Sequence, residues 1–253
     1  MANSPRILTI AGSDSGGGAG IQADIKTVTM MGGHAMTAIT VVTAQNTLGV
    51  MAIHKIPTGI VMDQIDAVID DIGVDAIKIG MIGSAETAHA VAKRLNGLTV
   101  PIIFDPVMIA TSGSALADQA TIAAFGKLMD IASVVTPNIP EMEALGGSEA
   151  ILAHDCHLVR KGGHAETEEI VDQLYSSQGM IAESTALRIE TRHTHGTGCT
   201  FASAMACGLG EGKSMIESFH QAVSFVRKAI ESAPELGAGH GPLGHQFVKD
   251  IPS

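Results

Sequence analysis

The chain is 253 residues long, sets 15 Lys and Arg against 26 Asp and Glu for a formal charge of −11, and is 45% hydrophobic with only 3% aromatic residues. That is the composition of a globular chain with an aliphatic core, and its length suits one large α/β domain spanning 1–253. It excludes the basic surface and stacking platforms that nucleic-acid binding needs, and it disfavours an all-β sandwich.

The first residues, Met1 to Arg6, carry no basic stretch followed by an apolar one, and no apolar run approaches the length of a membrane span. Cys156, Cys199 and Cys207 are too few and too oddly numbered for a disulfide framework, so a reducing, cytoplasmic setting is expected.

Short β-branched runs alternate with segments of helical period, which predicts βα units around a mostly parallel sheet. Strands are predicted at 7–10 and 36–43. After Pro57, Val61, Ile65, Val68 and Ile72 keep helical spacing, with Asp63, Asp66 and Asp70 on other faces. A strand at 76–79 follows, then a helix that Ser84 can cap, with an apolar stripe of Ala88, Val91, Ala92 and Leu95 and with Lys93 and Arg94 in its last turn before Asn96-Gly97. Further strands are predicted at 101–104, 133–136, 157–160 and 169–175, and two helices at 197–210 and 214–232 precede a Gly-rich tail. No linker, internal repeat or low-complexity block interrupts this order.

In an open α/β sheet, ligands bind beyond the carboxyl ends of the strands. Glycines and polar residues follow the apolar runs there: Ala11 to Gly20, Gly80-Met81, Asp105-Pro106, Pro137-Asn138 and Lys161-Gly-Gly-His164. Part of this is ordinary loop punctuation. The stretch 12–20 lacks the Lys of a P-loop, and Ile21 stands where a dinucleotide fingerprint starting at Gly16 needs its last Gly. It therefore reads either as a close backbone approach to a small ligand or as a surface turn.

The segment Thr194-His-Gly-Thr-Gly-Cys-Thr200 opens a helix, where glycines leave amide groups free at the positive end of the dipole. Cys199, in that first turn, is expected to have a lowered pKa and to be a usable base or nucleophile. Alone, it would read as a small buried hydrophobe. Lys161 is a well-placed cation for a phosphate, and Asn138 with Glu141, one turn apart, could hold hydrated Mg2+ or merely cap a helix. His154, Cys156 and His157 lack a fourth ligand, so zinc is not expected. Cys199 with His193 and His195 leaves open a rival reading as a hydrolase or acyl transferase.

Together, Gly12-Ser-Asp-Ser-Gly-Gly-Gly-Ala-Gly20-Ile-Gln-Ala-Asp24, Thr43-Ala-Gln-Asn46, Lys78-Ile-Gly-Met81, Asp105-Pro-Val-Met108, Thr136-Pro-Asn-Ile-Pro-Glu141, Lys161-Gly-Gly-His164 and His195-Gly-Thr-Gly-Cys199-Thr resemble the hydroxymethylpyrimidine/phosphomethylpyrimidine kinases, members of the ribokinase-like superfamily. The resemblance covers nearly the whole chain. It implies a three-layer α/β/α sandwich with a mostly parallel sheet, a homodimer, and transfer of the γ-phosphoryl of ATP to 4-amino-5-hydroxymethyl-2-methylpyrimidine and then to its monophosphate in thiamine biosynthesis. A pyridoxine or pyridoxal kinase of the same fold is the alternative.

Carried over by position, the resemblance puts Gly12, Asp24, Gln45, Met81 and Val107 at the pyrimidine. Asp105, Asn138 and Glu141 go to Mg2+, and Lys161, Asn138, Thr194 and Gly198 to ATP. Cys199, Gly196, Gly198 and Lys161 go to catalysis. A side-chain amide such as Gln45 can donate and accept at once, which suits an aminopyrimidine edge. Thr111 and Val223 stand where relatives commonly or sometimes carry Lys, and 141–161 is about a helix shorter than usual. These departures thin the positive charge expected around the phosphates.

Overall fold

The computed structural model describes residues 4–110, 113, 115–164 and 168–249. The predicted βα alternation builds one sheet of 9 strands, in the order β3-β2-β1-β4-β5-β6-β7-β8-β9. The inner strands β2 (His34–Asn46), β1 (Arg6–Asp14), β4 (Ala76–Ile79), β5 (Ile102–Phe104), β6 (Val134–Val135) and β7 (His157–Arg160) run parallel. The edges are antiparallel: β3 (Gly49–Lys55) on one side, and β8 (Glu169–Ser176) followed by β9 (Gly179–Leu187) on the other.

Strand periodicity separates two aliphatic cores. Leu8, Ile10, Ile77, Ile79, Ile102 and Phe104 face the layer built by α2 (Thr58–Asp71), α3 (Ala85–Leu95), α4 (Gln119–Met129), α5 (Ile139–Ala144) and α6 (Gly147–Leu152). Ile7, Ala76, Ile103, Val134 and Val159 face the opposite layer of α1 (Gly20–Met30), α7 (Thr197–Gly210) and α8 (Met215–Glu231). With few aromatics, packing relies on small residues: Gly210 lets α7 lie close to Ile7 and Ala76 of the sheet, Gly208 lets it lie close to Ser218 of α8, and Phe104 meets Phe125 edge to face at 5.2 Å.

The helix signals act as expected. Ser84 Oγ accepts from Thr87 N at 3.1 Å, Lys93 and Arg94 occupy the last turn of α3, and α7 spans the predicted 197–210. Three readings change. β1 runs on through Asp14 with a register shift between Ala11 and Ser13, so Gly12 belongs to a bulged strand end and not to a loop. β3 and β9, neither predicted, are edge strands with little buried side chain and hence weak alternation. The short stretch before Lys161 is filled by the two six-residue helices α5 and α6, joined through Gly146 and Gly147 with φ of +92° and +89°. Thr111 lies outside the described residues.

The chain leaves β1 toward β2 but leaves β4 toward β5, on the other side. That reversal opens a crevice above the carboxyl ends of β1 and β4, the usual ligand position in open α/β sheets.

Candidate active site

A cavity of about 1020 Å3 occupies this crevice and extends across β5 and β7 to α7 and α8. Gly12, Gln45, Met81 and Val107 line one part of it. A Cβ on Gly12 would come within 3.1 Å of Met81 Sδ, so a side chain there would crowd the thioether. A register shift in β2 between Ala44 and Gln45 turns the Gln45 side chain toward Thr43 and His195.

Asp14 organises the glycine turn. Its carboxylate accepts from Gly16 N at 2.8 Å, Gly18 N at 3.0 Å, Ala19 N at 2.9 Å and His195 Nε2 at 2.9 Å. Burial opposes the charge on Asp14, but the His195 and backbone donors outweigh it and hold the carboxyl below its ordinary pKa. The nearby Gly196, at φ +91°, is equally constrained: a Cβ there would fall 1.9 Å from Gly18 O.

The other part of the cavity gathers Asp105, Lys161, Thr194, Gly196, Gly198 and Cys199. The first helical bond of α7 runs from Thr200 N to Gly196 O at 2.9 Å, so the amides of Gly198 and Cys199 precede the hydrogen-bond ladder at the positive end of a 14-residue helix. Lys161 Nζ lies 3.2 Å from Asp105 Oδ1, which also accepts from Thr136 Oγ1 at 3.1 Å. Burial works against the Lys161 charge, yet Asp105 and Glu141 raise its pKa. Burial pushes Glu141 up to about 7, with Asp105 adding to the rise and Lys161 opposing it.

Three expectations are corrected. Asp24 does not line the cavity. It is sealed beneath it at 0% exposure, where both carboxylate oxygens take Lys78 Nζ at 3.0 Å and Oδ1 also takes Ser203 Oγ at 2.8 Å. Cys199 does not have a lowered pKa: burial drives its thiol up to about 11, with Lys78 lowering it and Asp24 and Asp105 raising it. The helix end is outweighed by desolvation and two carboxylates. Asn138, though on the cavity wall, spends its side-chain oxygen on Glu141 N at 2.9 Å, while Glu141 Oε2 accepts from Asn138 N at 2.9 Å. This is a capping box, and among the described residues it leaves Glu141 Oε1 with only a long 3.5 Å contact to Met108 N.

A divalent cation fits the donor set. Asp105 and Glu141 place two carboxylates against the single charge of Lys161, and burial, with Asp105 adding to it, disfavours the charged form of Glu141. Mg2+ commonly takes one or two carboxylates and keeps its waters.

The motifs missed several wall residues. Val226 and Ile230 of α8 with Ile189 extend an apolar face from Val223, which the sequence marks, and Arg188 and Arg227 contribute positive charge outside the predicted set. Helical period marks the α8 residues as core, so nothing local distinguishes them as cavity wall. His195 entered the sequence reading as a partner of Cys199, but its Nε2 is engaged by Asp14. That nitrogen is therefore not free to serve Cys199, and His193, the other candidate partner, does not line the cavity.

A three-layer sandwich with an open helix start, a buried cation and acidic groups around one cavity defines a ribokinase-like small-molecule kinase. A family model described as phosphomethylpyrimidine kinase matches residues 14–244. The chain belongs to that family. It is 41% identical to the hydroxymethylpyrimidine/phosphomethylpyrimidine kinase of Bacillus subtilis, covering 96% of each chain. It is 43% identical to a thiamine biosynthesis bifunctional protein of Geobacter sulfurreducens over 94% of this chain, and spans 52% of that longer protein. An ADP complex of Bacillus subtilis pyridoxal kinase superposes with a TM-score of 0.88 at 32% identity, covering 96% of this chain and 98% of that one.

Proposed function

We propose that the chain is a single-domain kinase that transfers the γ-phosphoryl of ATP to 4-amino-5-hydroxymethyl-2-methylpyrimidine and then to the resulting monophosphate. The observation that carries this reading is one cavity lined both by Gln45, Met81 and Val107 and by the start of α7, Cys199, Lys161 and Asp105. Such a lining suits a flat ring whose hydroxymethyl meets a phosphoryl group. The apolar face of Val223, Val226 and Ile230 suits the adenine, and the Gly198 and Cys199 amides suit a phosphate oxygen.

Lys161 offers a fixed positive charge to the phosphates, and Cys199 is the group able to take the proton of the attacking alcohol. Mg2+, held by Asp105 and Glu141 through its waters, would neutralise charge that builds on the phosphates. The higher identity to the pyrimidine kinase than to the structurally similar pyridoxal kinase favours the pyrimidine as acceptor.

A coupled ATP assay with the pyrimidine alcohol, its monophosphate and pyridoxal tests the proposal. Turnover of both pyrimidines is expected, and turnover of pyridoxal alone would overturn it. A second copy of the chain is the partner the resemblance implies, and sedimentation velocity at micromolar concentration reads it directly. Among the described residues no helix is long and apolar enough to cross a membrane, in keeping with a cytoplasmic enzyme.

A further inference from the structure

The Gln45 amide faces two neighbours whose protons can be counted. As placed, its Oε1 lies 3.1 Å from Thr43 Oγ1 and its Nε2 lies 3.2 Å from His195 Nε2. Thr43 has a single hydroxyl proton, and the Ser13 carbonyl at 3.0 Å can only accept, so that proton is already taken. His195 Nε2 lies 2.9 Å from Asp14 Oδ2, an ionised oxygen that also accepts two backbone amides, so Nε2 must carry a hydrogen. A donating Nε2 cannot accept from an NH2, and a Thr43 oxygen that has given away its proton cannot donate to a carbonyl. Rotating the amide by half a turn resolves both conflicts at once: the NH2 then donates to Thr43 Oγ1, and the carbonyl shares the His195 N–H. Oxygen and nitrogen of a side-chain amide are assigned by this accounting and not by shape.

We infer that Thr43 and His195, backed by Ser13 and Asp14, lock the Gln45 amide with its NH2 on the Thr43 side and its carbonyl on the His195 side, and that this order selects which heterocycle the cavity accepts. The inference rests on the kinase reading above and deepens it. After those bonds form, one N–H and one carbonyl lone pair remain for a ligand in the cavity that Gln45, Thr43 and His195 all line. They read a ring that presents an acceptor and a donor side by side in one order only: ring nitrogen toward Thr43, exocyclic amine toward His195. The 4-oxo analogue of the pyrimidine alcohol presents the reverse order, a ring N–H beside a carbonyl, at nearly the same size. A locked amide meets it with donor against donor and acceptor against acceptor, whereas a freely turning amide would accommodate both rings. Thr43 and His195 are thus positioning residues that act through Gln45.

The test compares the 4-amino and 4-oxo pyrimidine alcohols, by kcat/KM with ATP and by calorimetric Kd without it. The parent should prefer the amino ring by on the order of 10²-fold or more, since the wrong ring leaves two buried polar pairs mismatched. His195→Ala and Thr43→Val should each cut that preference about tenfold or more, mainly through KM and Kd. His195→Gln, which returns an N–H near the position of Nε2, and Thr43→Ser, which returns the hydroxyl, should restore it. Should His195→Ala fail to fold, Thr43→Val and His195→Gln carry the test. A preference unchanged in Thr43→Val, or lost equally in Thr43→Ser and His195→Gln, would overturn the lock while leaving the kinase reading intact. A parent that neither binds nor phosphorylates either pyrimidine would overturn the kinase reading, and the lock with it.

Discussion

Cys199 and Glu141 carry the chemistry that burial changes most. With its pKa pushed up to about 11, Cys199 is a thiol at neutral pH, ionised in only about one part in 10⁴. General-base removal of the proton assists attack by a neutral alcohol, by about 10²–10⁴-fold for a group already ionised, so only the small thiolate fraction of Cys199 can act there. It is not needed where the acceptor is a phosphate monoester, whose second pKa near 6 leaves it already charged. Cys199→Ala should therefore slow phosphorylation of the alcohol far more than that of the monophosphate, and only the alcohol reaction of the parent should accelerate with rising pH above 7. Equal losses in kcat for the two acceptors at saturating ATP would remove the base role. Glu141 titrates in the opposite sense to an ordinary ion-paired acid. Its folded pKa, about 7, exceeds its ordinary 4.5, so the stability it contributes is full below 4.5 and is lost as pH rises through 7. Its affinity for a cation runs the other way, because below 7 a proton competes. The stabilisation that Mg2+ gives the nucleotide-free protein in a thermal melt should thus be larger at pH 8 than at pH 6, and Glu141→Gln should flatten that difference.

At the scale of elements, the approach of α7 to the glycine turn depends on one backbone position. Gly196 has φ +91° and a Cβ there would overlap Gly18 O, so Gly196→Ala combines left-handed strain, on the order of 1–3 kcal/mol, with a forced separation of the turn from the helix start. Because the helix amides serve any phosphoryl acceptor, this substitution should depress both phosphorylations together, unlike Cys199→Ala. Intact alcohol turnover with a lowered melting point would place Gly196 in folding alone. The need for glycine at 196 was legible, since a glycine just before a helical run marks an open helix start. So were Ser84 ahead of α3 and the apolar spacing of α8, which are local signals. β3 and β9 were not legible, because an antiparallel edge strand with its side chains in solvent has no hydrophobic period to read. Asn138 was ambiguous for a physical reason: the same acceptor that could join a metal's shell satisfies the Glu141 amide one turn on, and the cap wins.

On the scale of the whole molecule, the buried pair Asp24–Lys78 joins α1 to the sheet, and Ser203 brings in α7, so three elements from distant parts of the chain meet at one ion pair below the cavity floor. No local pattern shows this. Lys78 sits on the face of β4 opposite Ile77 and Ile79, and its partners lie 54 residues back for Asp24 and, from there, 179 residues on for Ser203. Burial opposes the Lys78 charge, but Asp24, with Cys199 and Asp105, holds it protonated above its ordinary value. Removing one partner leaves the other charged and dry, which costs about 3–5 kcal/mol, whereas replacing both with apolar groups of similar volume is far milder. Asp24→Asn should accordingly lower the melting point by on the order of 10 °C, and Asp24→Leu with Lys78→Met should recover most of that loss. Below its melting point the Asp24→Asn protein should bind the pyrimidine alcohol within about twofold of the parent, because Asp24 reaches no part of the cavity. Calorimetry that found a large loss of pyrimidine affinity alongside an unchanged melting point would return Asp24 to the ligand.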